Sequence, residues 1–313
     1  MLFLGWIRVS GSAPEGVTDM AAAKELVRRN RKDKMKRAWF KFKKNPLSIA
    51  GAAITLLVLC LAVFAPFLAP YPEHAGSFVN FSEASRAPDL SHLFGTDAFG
   101  RDILSRTFFG FRLSLLMGIV VISLTAPVGV TLGLIAGYKN GTWIETLIMR
   151  ITDIFVAVPP LVLALAVCSI LKPNIFNAMM AVSLMWWPWY CRLVYGIATS
   201  IRNEFYVQAA EVTGASKAHI IFREMLPNCF GPVFTKVSLD MGWVILIGSA
   251  LSFVGLGAQP PTPDLGTMVA DGGKYMPDQW WIAIFPALAI MVVVFGFNIL
   301  GDGIRDMLEV EDV

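Results

Sequence analysis

The sequence predicts an all-α integral membrane protein with six transmembrane helices, and three observations carry that reading. Of the 313 residues, 56% are apolar and only 16% charged, against about 25% charged in an ordinary soluble domain. Uncharged apolar runs recur at 46–70, 113–138, 154–171, 173–191, 241–258 and 280–301, each near the roughly 20 residues that cross a bilayer. The charge is also unevenly placed: residues 24–44 carry eleven Lys or Arg against Glu25 and Asp33, a net of +9, whereas residues 45–313 sum to −5.

A basic block directly before an apolar span holds the cytoplasmic side of a membrane. The N-terminus is therefore expected in the cytoplasm and, with six spans, the C-terminus as well. No aromatic stacking platform or base-reading motif accompanies the block, which argues against nucleic acid as a partner. The organisation expected is a basic cytoplasmic tail over 1–45 and one membrane domain over 46–313, with an external loop at 71–112 and a cytoplasmic region at 192–240. Residues 1–23 lack periodicity, the apolar core of MLFLGWI is too short for a signal peptide, and Met20 is a second candidate start.

Span one runs from Pro46 and stops in the proline-rich PFLAPYP stretch, because proline cannot continue a helix. The external segment that follows reaches His92-Leu-Phe-Gly-Thr-Asp97-Ala-Phe-Gly100-Arg101-Asp102 and is expected to be ordered loop with a short helix at its end. Asp97, Arg101 and Asp102 form either a local turn and ion-pair cluster or an external gate or binding-protein contact. Span two carries Gly129, Gly133 and Gly137 at spacing four, a ridge that admits another helix at close range, either within the chain or from another subunit.

Lys139-Asn-Gly-Thr142 forms a tight turn into span three, which starts near Trp143 and carries Glu145, Arg150 and Asp153 at its cytoplasmic mouth. Those charges are functional candidates unless they simply reach the interface or pair with one another. Pro159 and Pro160 predict a kink or break. In span four, Trp186, Trp187, Trp189 and Tyr190 flank Pro188 and read as an interfacial belt or as a stacking surface.

Between spans four and five, two short helices are expected, Glu204 to Val212 and Ser216 to Met225, separated by Gly214 and closed by Leu226-Pro227. In the second, Ala218, Ile221, Phe222 and Met225 share one apolar face. Such a helix either lies on the membrane or presents that face to a partner. Span five runs to about Ala258, the Gln259-Pro-Pro-Thr-Pro263 loop follows, and span six ends at Gly301-Asp-Gly-Ile-Arg-Asp306.

The four cysteines show no CxxC spacing, and the three histidines stand in no HExxH or HxE pattern, so neither a disulfide frame nor a metal site is expected. GxxxxGK[ST] is absent, since Gly273-Lys274 lacks the leading glycine and the Ser/Thr, so the chain has no ATP-binding loop of that type.

The stretch Gln208-Ala209-Ala210-Glu211-Val-Thr-Gly214, followed by Ile220 to Asn228, resembles the EAA loop of ABC importer permeases. That loop has Ala-Ala, a Gly four residues later, and Leu-Pro twelve residues beyond. Gln208 stands where the family usually has Glu, and Glu224 where Ile is common. His92 to Asp102, Leu251 to Gly257 (LSFVGLG) and Asn298 to Asp306 (NILGDGIRD) look like the C-type permease of the dipeptide, oligopeptide and nickel branch.

This resemblance implies a subunit of the type I importer fold in a bacterial inner membrane. It would pair with a homologous second permease, rest on two ATP-binding subunits that hold ATP and Mg, and receive di- or oligopeptides from an external solute-binding protein. It also implies that Gln208, Ala209, Ala210, Gly214, Ser216, Ile221, Phe222, Leu226 and Pro227 couple the ATPases to transport by alternating access. The rival is an ion-coupled secondary transporter, which would need polar groups well inside the spans; only Asp240 and the charges at the mouth of span three approach that position.

Overall fold

The computed structural model describes Lys36 and residues 39–308, and the described residues contain helices and connecting turns but no β-strand. The basic block from Lys24 therefore lies, apart from Lys36 and 39–44, outside the described residues. Helix α1, Pro46–Val63, starts at Asn45, whose Oδ1 accepts the Leu47 amide at 3.0 Å, with proline in its first turn, where the missing N–H is harmless.

Helix α2, Ile103–Tyr138, is 36 residues long, about 54 Å at 1.5 Å per residue. It exceeds the roughly 30 Å of bilayer hydrocarbon, so it extends beyond an apolar layer of that thickness. The sequence reading starts this span at Leu113, because Arg106 and Arg112 interrupt the apolar run. The helix starts ten residues earlier because Asp102 caps it by accepting the Ser105 amide at 2.7 Å.

Helix α3, Trp143–Ala157, and helix α4, Pro160–Ile170, meet at an 88° bend. Pro159 and Pro160 break the chain there as expected, since neither can donate to the preceding turn. Helix α5, Ile175–Ile201, returns across the bundle. Helix α6, Phe205–Val212, lies in the segment that follows α5. A helical turn Lys217–His219 and a π-helical stretch Ile220–Met225 then lead into α7, Leu226–Phe253. Helix α8, Leu265–Gly273, precedes α9, Trp281–Leu308.

By length and composition α1, α2, the continuous segment Lys217–Phe253 and α9 can each cross a membrane, and α3 with α4 makes a fifth crossing if the bent pair is one span. Helix α5 is long enough at 27 residues, but Trp186, Trp187, Pro188, Trp189, Tyr190 and Arg192 lower its hydropathy, so it falls outside that set.

The glycine ridge of α2 is used within the chain. A Cβ at Gly129, Gly133 or Gly137 would lie 2.4 Å from Trp187 O, 2.6 Å from Cys191 O and 2.4 Å from the Ala198 Cβ, all on α5. Backbone contact of this kind holds helices together where lipid offers no hydrophobic drive. Alongside it, Val121, Val182, Tyr190, Val244 and Leu251 form a buried core joining α2, α5 and α7. A second core joins α1, α2, α7, α8 and α9 through Val58, Leu115, Ile245, Leu265 and Val293.

Candidate functional site

The segment between α5 and α7, expected on the cytoplasmic side, is a built element. Helix α6 ends in a Schellman motif: Ala215 N–H donates to Ala210 O and Gly214 N–H to Glu211 O, both at 3.0 Å, which satisfies carbonyls that a helix end would otherwise orphan. Gly214 has φ +80° and nothing within 4 Å of where a Cβ would stand. The glycine is therefore required by its left-handed backbone, and not by close packing.

Ser216 then caps the next helix, its Oγ accepting the His219 amide at 3.3 Å. The sequence reading closes that helix at Leu226-Pro227, whereas the chain stays helical from Lys217 to Phe253. Leu226 N–H donates to Ile221 O in the π pattern, and Pro227 sits in the first turn of α7.

Packing divides the residues into two sets. Val207, Ile220, Ile221, Met225 and Cys229 are buried in one cluster with Val130, Leu134 and Tyr138 of α2 and Val194 and Ala198 of α5. Leu226 is half-buried against this cluster. Gln208, Ala209, Gly214, Ser216, Phe222 and Pro227 face outward, and Ala210 is half-buried. The expected face of Ala218, Ile221, Phe222 and Met225 is thus split, with Ile221 and Met225 turned inward and Ala218 and Phe222 outward. Phe205, Val212 and Phe222 are 76%, 88% and 46% exposed, so this segment leaves apolar groups bare beside the buried ones.

Polar contacts fix the same element. Gln208 Nε2 donates to Asn203 O at 3.1 Å, Asn228 Nδ2 donates to Tyr206 Oη at 3.0 Å and to Glu224 O at 2.7 Å, and Arg202 donates to Tyr138 O. The ammonium of Lys217 beside Lys139 holds the latter below the usual lysine range, so the edge of this surface is cationic. On α3, Asp153 pairs with Arg192 and Glu145 accepts from Tyr195 Oη at 3.0 Å; both acids bind α5 and not Arg150.

The external candidates belong to a second, different construction. Asp97 Oδ1 accepts the amides of Phe99 and Arg101, and its Oδ2 accepts Arg101 Nε at 2.7 Å. Asp102 is 1% exposed; besides capping α2, it has His92 Nδ1 2.9 Å from its Oδ1, and its amide donates to His74 Nδ1 at 2.9 Å. Burial is the main cause holding His74 below the ordinary histidine value, and the neutral ring suits its role as acceptor. Sequence reasoning missed Arg106, which is 4% exposed and donates to His74 O at 3.0 Å; no local pattern signals a contact 32 residues away. It also missed α8, although Asp264, which caps that helix by accepting the Thr267 amide at 3.0 Å, is a helix-start signal. Among the described residues no three His, Cys, Asp or Glu side chains are grouped as metal ligands.

Comparison with known proteins bears on both regions. Residues 34–88 match the N-terminal TM domain of oligopeptide transport permease C. Residues 129–310, which include the whole cytoplasmic element, match the family described as binding-protein-dependent transport system inner membrane component. The probable D,D-dipeptide transport system permease protein DdpC of Escherichia coli (strain K12) is 41% identical over 267 residues, 85% of this chain and 88% of that protein. The dipeptide transport system permease protein DppC of Alkalihalophilus pseudofirmus is 42% identical over 274 residues, 87% of this chain and 88% of its own. Among solved structures, an inward-facing MetNI methionine ABC transporter chain aligns with TM-score 0.53 at 16% identity, covering 64% of this chain and 95% of that one, a likeness of fold.

Proposed function

This chain belongs to the family of binding-protein-dependent transport system inner membrane components, and from that premise we propose that it forms half of the translocation pathway of an ABC importer for di- or oligopeptides. The substrate class follows the relatives, which are dipeptide permeases. The observation that carries the mechanism is the cytoplasmic element: an outward apolar face keyed from behind into the ends of α2 and α5.

In this reading α5 is the sixth span, beside α1, α2, the bent α3–α4 pair, α7 and α9. Both termini then lie in the cytoplasm, with the basic block on the positive-inside flank. A homologous second permease completes the pathway, two ATP-binding subunits hold ATP and Mg, and an external binding protein delivers the solute. Gln208, Ala209, Gly214, Ser216, Phe222 and Pro227 offer the surface on which an ATPase rests, while Ala210, Ile221 and Leu226 hold that surface to the bundle. A push on α6 reaches α2 and α5 through packed side chains that cannot yield independently, and alternating access follows from their rigid-body movement.

Asp97, Arg101 and Asp102 keep the external end of α2 in register, so that this movement arrives at an ordered outer face. The test is reconstitution of the chain with its co-purifying subunits in vesicles, with the binding protein and a labelled dipeptide outside. Uptake that requires ATP inside is the expected result. Uptake driven by an ion gradient without ATP would replace this account with a secondary carrier.

A further inference from the structure

Between the external turn and the connection from α7 to α9 lies a cavity of about 220 Å³, lined by Asp97, Arg101, Arg106, Asp271, Lys274 and Tyr275 among others. Its charges do not balance. Lys274 Nζ lies 2.8 Å from Asp271 Oδ1 near the exposed mouth, and Asp271 also acts electrostatically on Arg106, so the lining holds three cations against two carboxylates. Deeper in, one carboxylate serves two guanidinium groups: Asp97 Oδ2 accepts Arg101 Nε at 2.7 Å and stands 3.7 Å from Arg106 Nε. The longer distance is an ion-pair separation and not a hydrogen bond. The Arg106 Nε–H, buried with the rest of its side chain, has no acceptor. Its Nη1 donates at 3.0 Å to His74 O, and the two terminal nitrogens reach Pro261 O only at 3.4 Å.

A buried guanidinium is expensive without a full anionic partner, and native structures rarely leave such a donor unmet. We propose that this cavity is a receptor for one slender carboxylate, which supplies the acceptor that Arg106 lacks and the charge that the pair of arginines lacks. The surplus is a single positive charge, which a carboxylate neutralises, and arginine binds carboxylates through paired donors. The volume is below the roughly 300 Å³ of ordinary small-molecule sites and fits a terminal group better than a whole solute. The carboxylate comes from the C-terminus of a peptide solute or from an acidic side chain of the external binding protein. Only that choice of source rests on the importer reading; the anion chemistry stands without it.

The test uses the chain with its co-purifying subunits in nanodiscs and titration calorimetry. Ala-Ala is compared with Ala-Ala amide, acetate serves as competitor, and intact binding protein is compared with binding protein whose carboxyls have been amidated by carbodiimide. Loss of at least tenfold in affinity on amidating the dipeptide, reproduced by Arg101→Gln and relieved by acetate competition, assigns the site to the peptide. The same loss on amidating the binding protein, again abolished as a difference by Arg101→Gln, assigns it to the docking partner. Arg106→Lys, used where Arg106→Gln fails to fold, keeps the charge but not the paired donors and loses several-fold in affinity for the acid form only. Equal affinities for acid and amide forms in both arms, or a carboxylate preference that survives Arg101→Gln, overturns the proposal. Uptake that needs no ATP, in a preparation that still binds Ala-Ala through Arg101, would overturn the importer reading and leave this site in place.

Discussion

The two ends of α2 are anchored by opposite means. At its C-terminal end, Val130, Leu134 and Tyr138 meet Val207, Ile220, Ile221 and Met225 in a mainly apolar cluster, and the motif residues on its far side are left bare. At its N-terminal end, Asp102, His92, His74 and Arg106 are each less than 5% exposed and are joined by directional hydrogen bonds. One segment spends its sequence on a surface, the other on an interior. A recurring motif can therefore mean an exposed contact or a buried brace, and burial separates the two.

The sharpest way to break the contrast is Asp102→Ala. It removes the α2 cap and leaves His92 and the Ser105 amide without a buried partner, an expected loss of about 4 kcal/mol. It is read as a large fall in the detergent melting temperature of the purified subunit. Met225→Ala opens a cavity in the apolar anchor instead and should cost about 3 kcal/mol. Because this anchor is non-directional, Met225→Leu should recover most of that loss in the same assay, whereas Asp102→Asn, which keeps the shape of the external side chain and removes its charge, should recover only part.

Gly214→Ala probes the turn between the two halves of the cytoplasmic element. With φ at +80° and open space around it, the expected cost is about 1 kcal/mol, and Gly214→Asn should cost less because asparagine tolerates the left-handed region. Equal destabilisation by the two would point to a packing role after all. The smallest effect is one of pH. His74 is held below the ordinary histidine value, so the fold favours its neutral form. The stability this gives is full above about pH 6.5 and declines as acidification protonates the ring through its folded pKa. Hydrogen exchange at pH 7.5 and pH 5.5 should show the external segment loosening at the lower pH while the amides of Ile220 to Met225 stay protected.

Much of this was legible in the residue order, because apolar length and helix punctuation are local. The helical character of α1, α7 and α9, the break at Pro159-Pro160, and the glycine ridge on α2 all follow from spacings of a few residues. What escaped depends on partners distant in sequence. Arg106 lies inside α2 because carbonyls at His74 and Pro261 receive it, and no window around Arg106 contains them. The inward turn of Ile221 against the outward turn of Phe222 likewise depends on where α2 and α5 stand. The π stretch that carries the helix past Pro227 is set by backbone geometry that periodicity does not encode.

The central claim is that the bare face of α6 is where the ATPase rests. Val212, 88% exposed, and Leu90, 98% exposed on the external segment, are each replaced by cysteine in a Cys60→Ser background, since the other three cysteines are buried. A short bifunctional cross-linker is then applied to membranes containing the whole transporter. The expected result is a cross-link from position 212, and none from position 90, to a subunit that binds ATP, together with loss of ATP-driven uptake in Val212→Asp at unchanged melting temperature. No cross-link from position 212, with normal uptake by Val212→Asp, would contradict the account.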